Sequence, residues 1–178
     1  MDGDRMENAP PNEATIPASV DNAELLEKRS LEAELCIKNY VILAMGVGLV
    51  PSALVDIVGI TALEVKMIGD LARVYDFPIP KKLIIYKILI SLVGSIGPVY
   101  LSGQMHAALK SIPLVGHAVY VGMLSVTGGA AVYAVGKIFQ RHYESGGTFL
   151  SSENRVLKKY YQEQYAAGKK VVPLYAHA

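Results

Sequence analysis

A long stretch of this chain carries almost no formal charge. Between Lys87 and Lys137 lie forty-nine residues, and Lys110 is the one charged residue among them. Lys110 divides the stretch into residues 88–109 and 111–136. Each part is long enough to cross a hydrocarbon layer as a helix, which needs about 20 apolar residues. The pattern therefore predicts an all-α chain that contains a membrane helical hairpin.

Two other arrangements are compatible with the same stretch. A charge-free helix, kinked by Gly94, Gly97, Pro98 and Gly103, can instead be buried inside a soluble helical protein. The two parts can also form a re-entrant pair that enters and leaves the bilayer on one side. The length of the two parts and the basic residues at both outer ends favour the spanning hairpin.

Basic residues gather at the outer ends of the predicted hairpin, whereas its turn holds Lys110 alone. They are Arg73, Lys81, Lys82 and Lys87 before it, and Lys137, Arg141, Lys158, Lys159, Lys169 and Lys170 after it. Basic loops remain in the cytoplasm, so both termini are predicted on the cytoplasmic side of a bacterial inner membrane, and the turn at residues 104–113 on the other side. Anionic lipid headgroups are the predicted partner of these lysines. No folded basic motif indicates nucleic-acid binding.

Each arm of the predicted hairpin has a narrow stripe of small residues at helical spacing. The helix-packing residues are Ser91, Ser95 and Ser102 on the first arm, and Ala118, Gly122, Ser125, Gly129 and Gly136 on the second. In lipid, close backbone approach along such faces drives helix association. The stripes predict packing of the arms on each other or on neighbouring copies, and hence a homo-oligomer.

The remaining chain divides by composition. Residues 1–20 are polar, rich in proline and predicted to be a disordered arm, followed by an amphipathic helix over residues 21–38. A membrane-associated helical domain is predicted over residues 39–150, and a C-terminal amphipathic helix and tail over residues 151–178, with that helix ending at Gly168. Residues 1–38 hold nine acids and four bases, so the N-terminal part is acidic and the body basic.

An amphipathic helix is predicted from about Ser52 to Asp76. Its polar half contains Asp56, Lys66, Asp70 and Arg73, which form a possible partner face. Such charged faces are more often simply solvated, and single exposed pairs contribute little. Asp56 stands out because acids inside apolar helical segments of membrane proteins tend to be functional.

Catalytic and cofactor motifs are missing from the sequence. Cys36 is the single cysteine, and the run Gly46-Val47-Gly48 lacks the third glycine and preceding strand of a dinucleotide site. His106 and His117 are too far apart for a metal pair on one helix turn. The sequence predicts a protein that is not an enzyme and binds no cofactor or metal.

Several short runs resemble a bacterial family known as domain of unknown function 697. They are Val50-Pro51-Ser52-Ala53-Leu54-Val55-Asp56, then Leu63, Met67, Leu71-Ala72 and Tyr75, and after a glycine-rich hairpin Val132-Tyr133-Ala134-Val135-Gly136-Lys137-Ile138-Phe139 with Gly146-Gly147. The resemblance covers about residues 40–150. It implies a membrane-associated module that often follows, or is encoded near, a GTPase of the Era or dynamin-like kind, although no GTPase precedes it in this chain.

Two classes of function compete on this basis. In the first, a non-enzymatic membrane adaptor or anchor binds a cytoplasmic partner, plausibly a GTPase, through its acidic N-terminal helix and the face from Asp56 to Arg73. In the second, copies assemble through the small-residue stripes into a membrane scaffold or pore-like protein. A weaker third alternative is a soluble helical protein that inserts only on a signal.

Overall fold

The computed structural model describes residues 18–47, 53–93 and 115–175. In these ranges the chain is entirely helical, which confirms the all-α prediction there. The elements are α1 (Ala18–Val47), α2 (Ala53–Val74), α3 (Lys82–Val93), α4 (Val115–Glu144), a short 3-10 helix (Phe149–Ser151) and α5 (Asn154–Tyr175).

Helix α4 lies at the centre of the bundle and packs against α1, α2 and α5. Gly136 faces Ile37 of α1, whereas Gly129 faces Met45 of α1 and Val172 of α5, so both neighbours run antiparallel to α4. Helix α2 runs parallel to α4, because Ile60 lies against Gly128 and the backbone of Ile68 is reached by Tyr143. Because α1, α2 and α5 pack around α4, most side chains of residues 128–143 are buried.

This central position explains part of the charge-free stretch without lipid. Residues 128–136, which end the second predicted arm, are buried or half-buried against helices of the same chain. For this segment the structure has the buried-helix arrangement. Within the ranges that the structure describes, no helix is both long enough and apolar enough to cross a bilayer. Residues 94–114, which hold the predicted turn and most of the first arm, lie outside those ranges.

A tight turn follows α4 and directs the chain into α5. Gly146 and Gly147 adopt positive φ angles of 68° and 84°, a conformation that glycine takes without steric cost. At Gly147 a Cβ atom would also lie 2.9 Å from Cε1 of Phe77. Phe77 in turn packs on the rings of His142 and Tyr143, so the turn is fixed against the loop between α2 and α3.

Two helices extend beyond their predicted ends. Helix α1 continues past Lys38 to Val47, so the amphipathic helix and the apolar segment after it are one element. The predicted end of the last helix at Gly168 is wrong, because α5 continues to Tyr175. A Cβ atom on Gly168 would lie 3.1 Å from the Cα atom of Ala130. This glycine therefore allows α5 to approach the α4 backbone, rather than ending the helix.

Candidate functional site

The predicted partner face is only partly free in the structure. Lys66 and Arg73 are exposed on α2, whereas Asp70 is half-buried and forms an ion pair with Arg73. Asp70 Oδ2 also accepts a hydrogen bond of 2.6 Å from the Tyr40 hydroxyl group of α1. Asp56 belongs to α2, but its side chain lies outside the described residues. The structure thus brings Asp70 and Arg73 together and leaves Lys66 and Arg73 accessible.

The groups beside Asp70 are held in their neutral forms. Burial, reinforced by the hydrogen bond to the Asp70 carboxylate, raises the pKa of Tyr40. Burial and the charge of Asp70 raise the pKa of the half-buried Cys36 thiol to about 11. A thiol with that pKa is protonated at neutral pH and is a poor nucleophile. The contacts at Asp70 therefore join α1 to α2 and provide no reactive group.

A polar network at one end of the bundle connects α1 to α4. Lys137 forms an ion pair with Glu34 of α1, and its Nζ atom also donates to Gln140 Oε1 at 3.2 Å. Gln140 is buried, and its Nε2 atom donates to Glu144 Oε1 at 3.1 Å and to Ser30 Oγ at 3.3 Å. Charge-assisted hydrogen bonds of this kind are stronger than neutral ones. The network fixes the N-terminal half of α1 on α4.

The two residues directly after α2, Tyr75 and Asp76, join the same network. The Tyr75 hydroxyl group donates to Glu144 Oε1 at 2.8 Å, and Arg29 of α1 donates to the Tyr75 carbonyl oxygen at 3.1 Å. Arg29 also pairs with Asp76. Sequence reasoning missed this network, although Lys137, Gln140 and Glu144 follow one another at i, i+3 and i+7 on a single helical face. The network holds the exposed part of α2 in a fixed position.

The small-residue stripe of the second arm faces α1 where the structure describes it. The Ser125 hydroxyl group donates to the Met45 carbonyl oxygen at 2.9 Å, and Gly129 and Gly136 allow close contact with α1. Gly122, by contrast, is exposed, and a Cβ atom built on it meets no atom of the described part of the chain within 4 Å. The side chains of Ala118 in α4 and Ser91 in α3 are outside the described part, as are Ser95 and Ser102 altogether.

Helix α3 exposes most of its large apolar side chains. Ile85 and Leu89 are buried against the bundle. The exposed ones, with Ile79 just before the helix, are Ile79, Leu83, Ile84, Tyr86 and Ile90. Lys81 and Lys87 are exposed beside them. The helix thus carries an apolar surface that the described part of the fold does not cover, directly before the charge-free residues 94–109.

Glu64 is the acid that the sequence reasoning overlooked. It is buried in α2, and its Oε1 atom has no hydrogen-bond partner within the described structure. Burial raises the pKa of Glu64 to about 8, so the carboxyl group is mainly protonated at neutral pH. Its position three and four residues before the buried Met67 and Ile68 was a signal available in the sequence. Among the described residues, no group of three or more His, Cys, Asp and Glu could hold a metal ion.

The described residues define a helical bundle module, in which a charge-poor central helix packs against antiparallel and parallel neighbours and an exposed apolar helix precedes it. The chain belongs to the family described as Domain of unknown function (DUF697), whose model matches residues 19–170. It is 36% identical over 144 residues to Magnetosome membrane protein 22 of Magnetospirillum gryphiswaldense, a match that covers 79% of this chain and 72% of that protein. No solved structure matches the chain.

Proposed function

We propose that the chain is a membrane-associated adaptor, anchored by its charge-free hairpin and carrying the helical bundle on the cytoplasmic face of a bacterial inner membrane. The observation that carries this proposal is the exposed apolar surface of α3. The side chains of Leu83, Ile84 and Ile90 are not covered by the described bundle. Lys81 and Lys87 are exposed beside them and can bind anionic headgroups. A helix of this kind leads naturally from water into lipid.

The bundle limits which residues the hairpin can place in lipid. Because residues 128–136 pack against α1, α2 and α5, the membrane part of the second arm is at most residues 111–127. As a helix these residues extend about 25 Å, which is at the short end of what crosses a hydrocarbon core of about 30 Å. By the same reasoning Leu89, which is buried against the bundle, limits the membrane part of the first arm to residues 90–109 at most. Both termini would then lie on the side of the bundle.

The comparisons support membrane association in particular. The relative that is 36% identical is named as a magnetosome membrane protein. The family description itself assigns no function. Nothing in the chain points to catalysis, and a binding role is the simpler proposal for a module with a fixed charged face and an apolar anchor.

A cytoplasmic GTPase is the proposed partner of the adaptor. The resemblance to a family often encoded near such enzymes motivates this choice. Lys66 and Arg73 are exposed on a helix whose end is held by the polar network, so they can meet a partner without reorganisation. Residues 1–17 add four acids and one base, a second charged element for recognition.

Charge reversal on α2 tests this proposal. The double variant Lys66→Glu and Arg73→Glu is expected to reduce capture of an Era-like or dynamin-like GTPase of the same organism at least tenfold, because the variant repels a surface that the wild type attracts. The measurement is affinity purification of the detergent-extracted protein with identification of the GTPase by mass spectrometry.

The matched control reverses two exposed lysines on another helix. Lys158→Glu with Lys159→Glu makes the same change in net charge on α5 and should leave capture unchanged. Equal losses in the two double variants would show a general charge effect and remove the α2 face from the account. Absence of any GTPase from the wild-type purification would count against an adaptor of this kind.

A homo-oligomeric scaffold is the second candidate function, and the open surface at Gly122 favours it. The other described stripe positions, Ser125, Gly129 and Gly136, are in contact with α1 of the same chain, whereas no described residue covers Gly122. An exposed small residue on a helix leading into lipid is where another copy could approach closely. A large homo-oligomer of the wild type that is lost in Gly122→Leu, with no partner recovered, would favour the scaffold.

A further inference from the structure

One end of the bundle gathers apolar side chains from α1, α2 and α5. Val47, the last residue of α1, lies against Gly59 near the start of α2. Val172, near the end of α5, meets α4 at Gly129, together with Met45 of α1. The end of α1, the start of α2 and the end of α5 therefore lie together beside the N-terminal half of α4. We name this region the apolar end.

Several large apolar side chains are exposed at or near the apolar end. Val58 of α2 is 67% exposed and Leu174 of α5 is 65% exposed. Ile42 and Leu43 of α1 are also exposed, somewhat closer to the middle of the bundle. Four large exposed apolar residues from three different helices therefore occur in this one part of the bundle, and such accumulation is typical of an interaction site.

Lysines border this surface on the side that faces the middle of the bundle. The Lys38 ammonium group lies 5.5 Å from the ring centre of Tyr175, and that of Lys169 lies 5.4 Å from the ring centre of Tyr165. Lys170 is exposed next to Lys169. Between these lysines and the apolar end, the described side chains include one ionisable acid, the buried Glu64. Lys38, Lys169 and Lys170 therefore form a positively charged border, which we name the lysine border.

We propose that the apolar end inserts shallowly into an anionic bilayer surface while the lysine border contacts the headgroups. The inserted side chains are Val58, Leu174, Leu43 and Ile42. The inference rests on the proposed membrane role, and it adds a second lipid contact that the charge-free hairpin does not supply. The N-terminal end of α4, which begins at Val115, points in the same direction as the apolar end, so both contacts face one bilayer.

Dimensions and charge both agree with a shallow contact. Nine residues separate Lys38 from Val47, a rise of about 13 Å along α1. Lysine stems can extend toward the bilayer, so apolar tips buried about 5–10 Å leave the ammonium groups at headgroup level.

A second copy is a poorer occupant of the same surface. If two copies met end to end, their lysine borders would come close together, and like charges at a shared interface oppose association. An anionic lipid surface instead complements the lysines and covers the apolar side chains at once.

Tryptophan fluorescence tests this inference well, because the chain contains no tryptophan. The variants Val58→Trp and Leu174→Trp place a probe at the apolar end, and Val156→Trp places one at an exposed apolar position at the other end of α5. Val99→Trp places a probe in the charge-free hairpin. Each full-length variant is reconstituted into phosphatidylcholine and phosphatidylglycerol vesicles whose lipids are brominated near the headgroup end of the acyl chains.

Bromine is expected to quench Val58→Trp and Leu174→Trp several-fold more than Val156→Trp. Quenching of Val99→Trp alone would overturn the inference and leave the hairpin anchor standing. No quenching at any position would overturn the inference and the proposed membrane role together. Quenching of Val156→Trp equal to that of Val58→Trp and Leu174→Trp would also overturn it. So would a doubled molar mass without lipid in which the Val58→Trp side chain is shielded from solvent, because a second copy would then cover the apolar end.

Substitution at the apolar end provides an independent measurement. Leu174→Asp in the Val58→Trp background is expected to reduce quenching of that tryptophan several-fold, because an apolar contact with lipid is lost and a charge that anionic headgroups repel is added. Val156→Asp in the same background is the matched control and should leave the quenching unchanged. Unchanged quenching with Leu174→Asp would contradict the inference.

Discussion

Replacing Glu64 by glutamine is expected to remove a loss of stability that the wild-type protein undergoes between about pH 5 and pH 8. Burial raises the pKa of Glu64 to about 8, against about 4.5 in the unfolded chain. The folded state therefore holds the proton more tightly. Its contribution to stability is complete below the unfolded pKa and is lost as pH rises toward the folded pKa. Over the three pH units from pH 5 to pH 8, this loss in the free energy of unfolding is roughly 4 kcal/mol.

Thermal or denaturant unfolding in mild detergent at the two pH values measures this effect. At each pH, the free energy of unfolding of the wild type is subtracted from that of Glu64→Gln. This difference should rise from pH 5 to pH 8. His142 acts in the opposite direction, because burial lowers its pKa, but it is present in both proteins and cancels in the comparison. Glu163→Gln on the exposed face of α5 is the control. A constant difference between Glu64→Gln and the wild type would show that Glu64 is not a buried neutral acid.

Enlarging Gly136 is the second change expected to have a large effect. A Cβ atom there would lie 2.8 Å from Cγ1 and 3.1 Å from Cγ2 of Ile37, a fully buried β-branched side chain that has little room to move. Gly136→Val should therefore separate α1 from α4 and lower the free energy of unfolding by about 1–3 kcal/mol. Chemical denaturation in detergent measures it.

Gly122→Val is the matched control on the same face of α4. No atom of the described residues lies within 4 Å of its Cβ position, so the stability of the single chain should hardly change. The cause of the Gly136 effect can be checked with Ile37→Ala, which should cost less in the Gly136→Val background than in the wild type. If Gly136→Val proved as stable as Gly122→Val, the close contact between α1 and α4 would be incorrect.

The sequence predicted helical content well, because periodicity and capping are local signals. The predicted helix from about Ser52 to Asp76 corresponds to α2, and the charge-free residues after Lys110 lead into α4. What periodicity does not reveal is the surrounding medium. Residues 128–136 lack charge because other helices enclose them, and a protein core and a lipid core select the same residues.

The candidate site was less predictable, because its contacts join residues distant along the chain. Asp70 was expected to be part of a solvated face, yet it accepts a hydrogen bond from Tyr40, thirty residues earlier. Gln140 links Ser30 to Glu144 in the same long-range manner. Gly168 resembled a helix end in sequence and proved to be a contact point with α4. Such roles depend on which helices become neighbours, which one amphipathic pattern does not specify.

Flotation of carbonate-washed membranes on a density gradient tests the central claim of a membrane-anchored bundle most directly. The full-length protein, expressed in a bacterial host, is predicted to float with the membranes after the wash. A variant with Ile96→Arg and Val99→Arg in the hairpin should float far less, because each arginine opposes insertion by about 2.5–3.5 kcal/mol. Complete release of the wild-type protein into the soluble fraction would contradict the account.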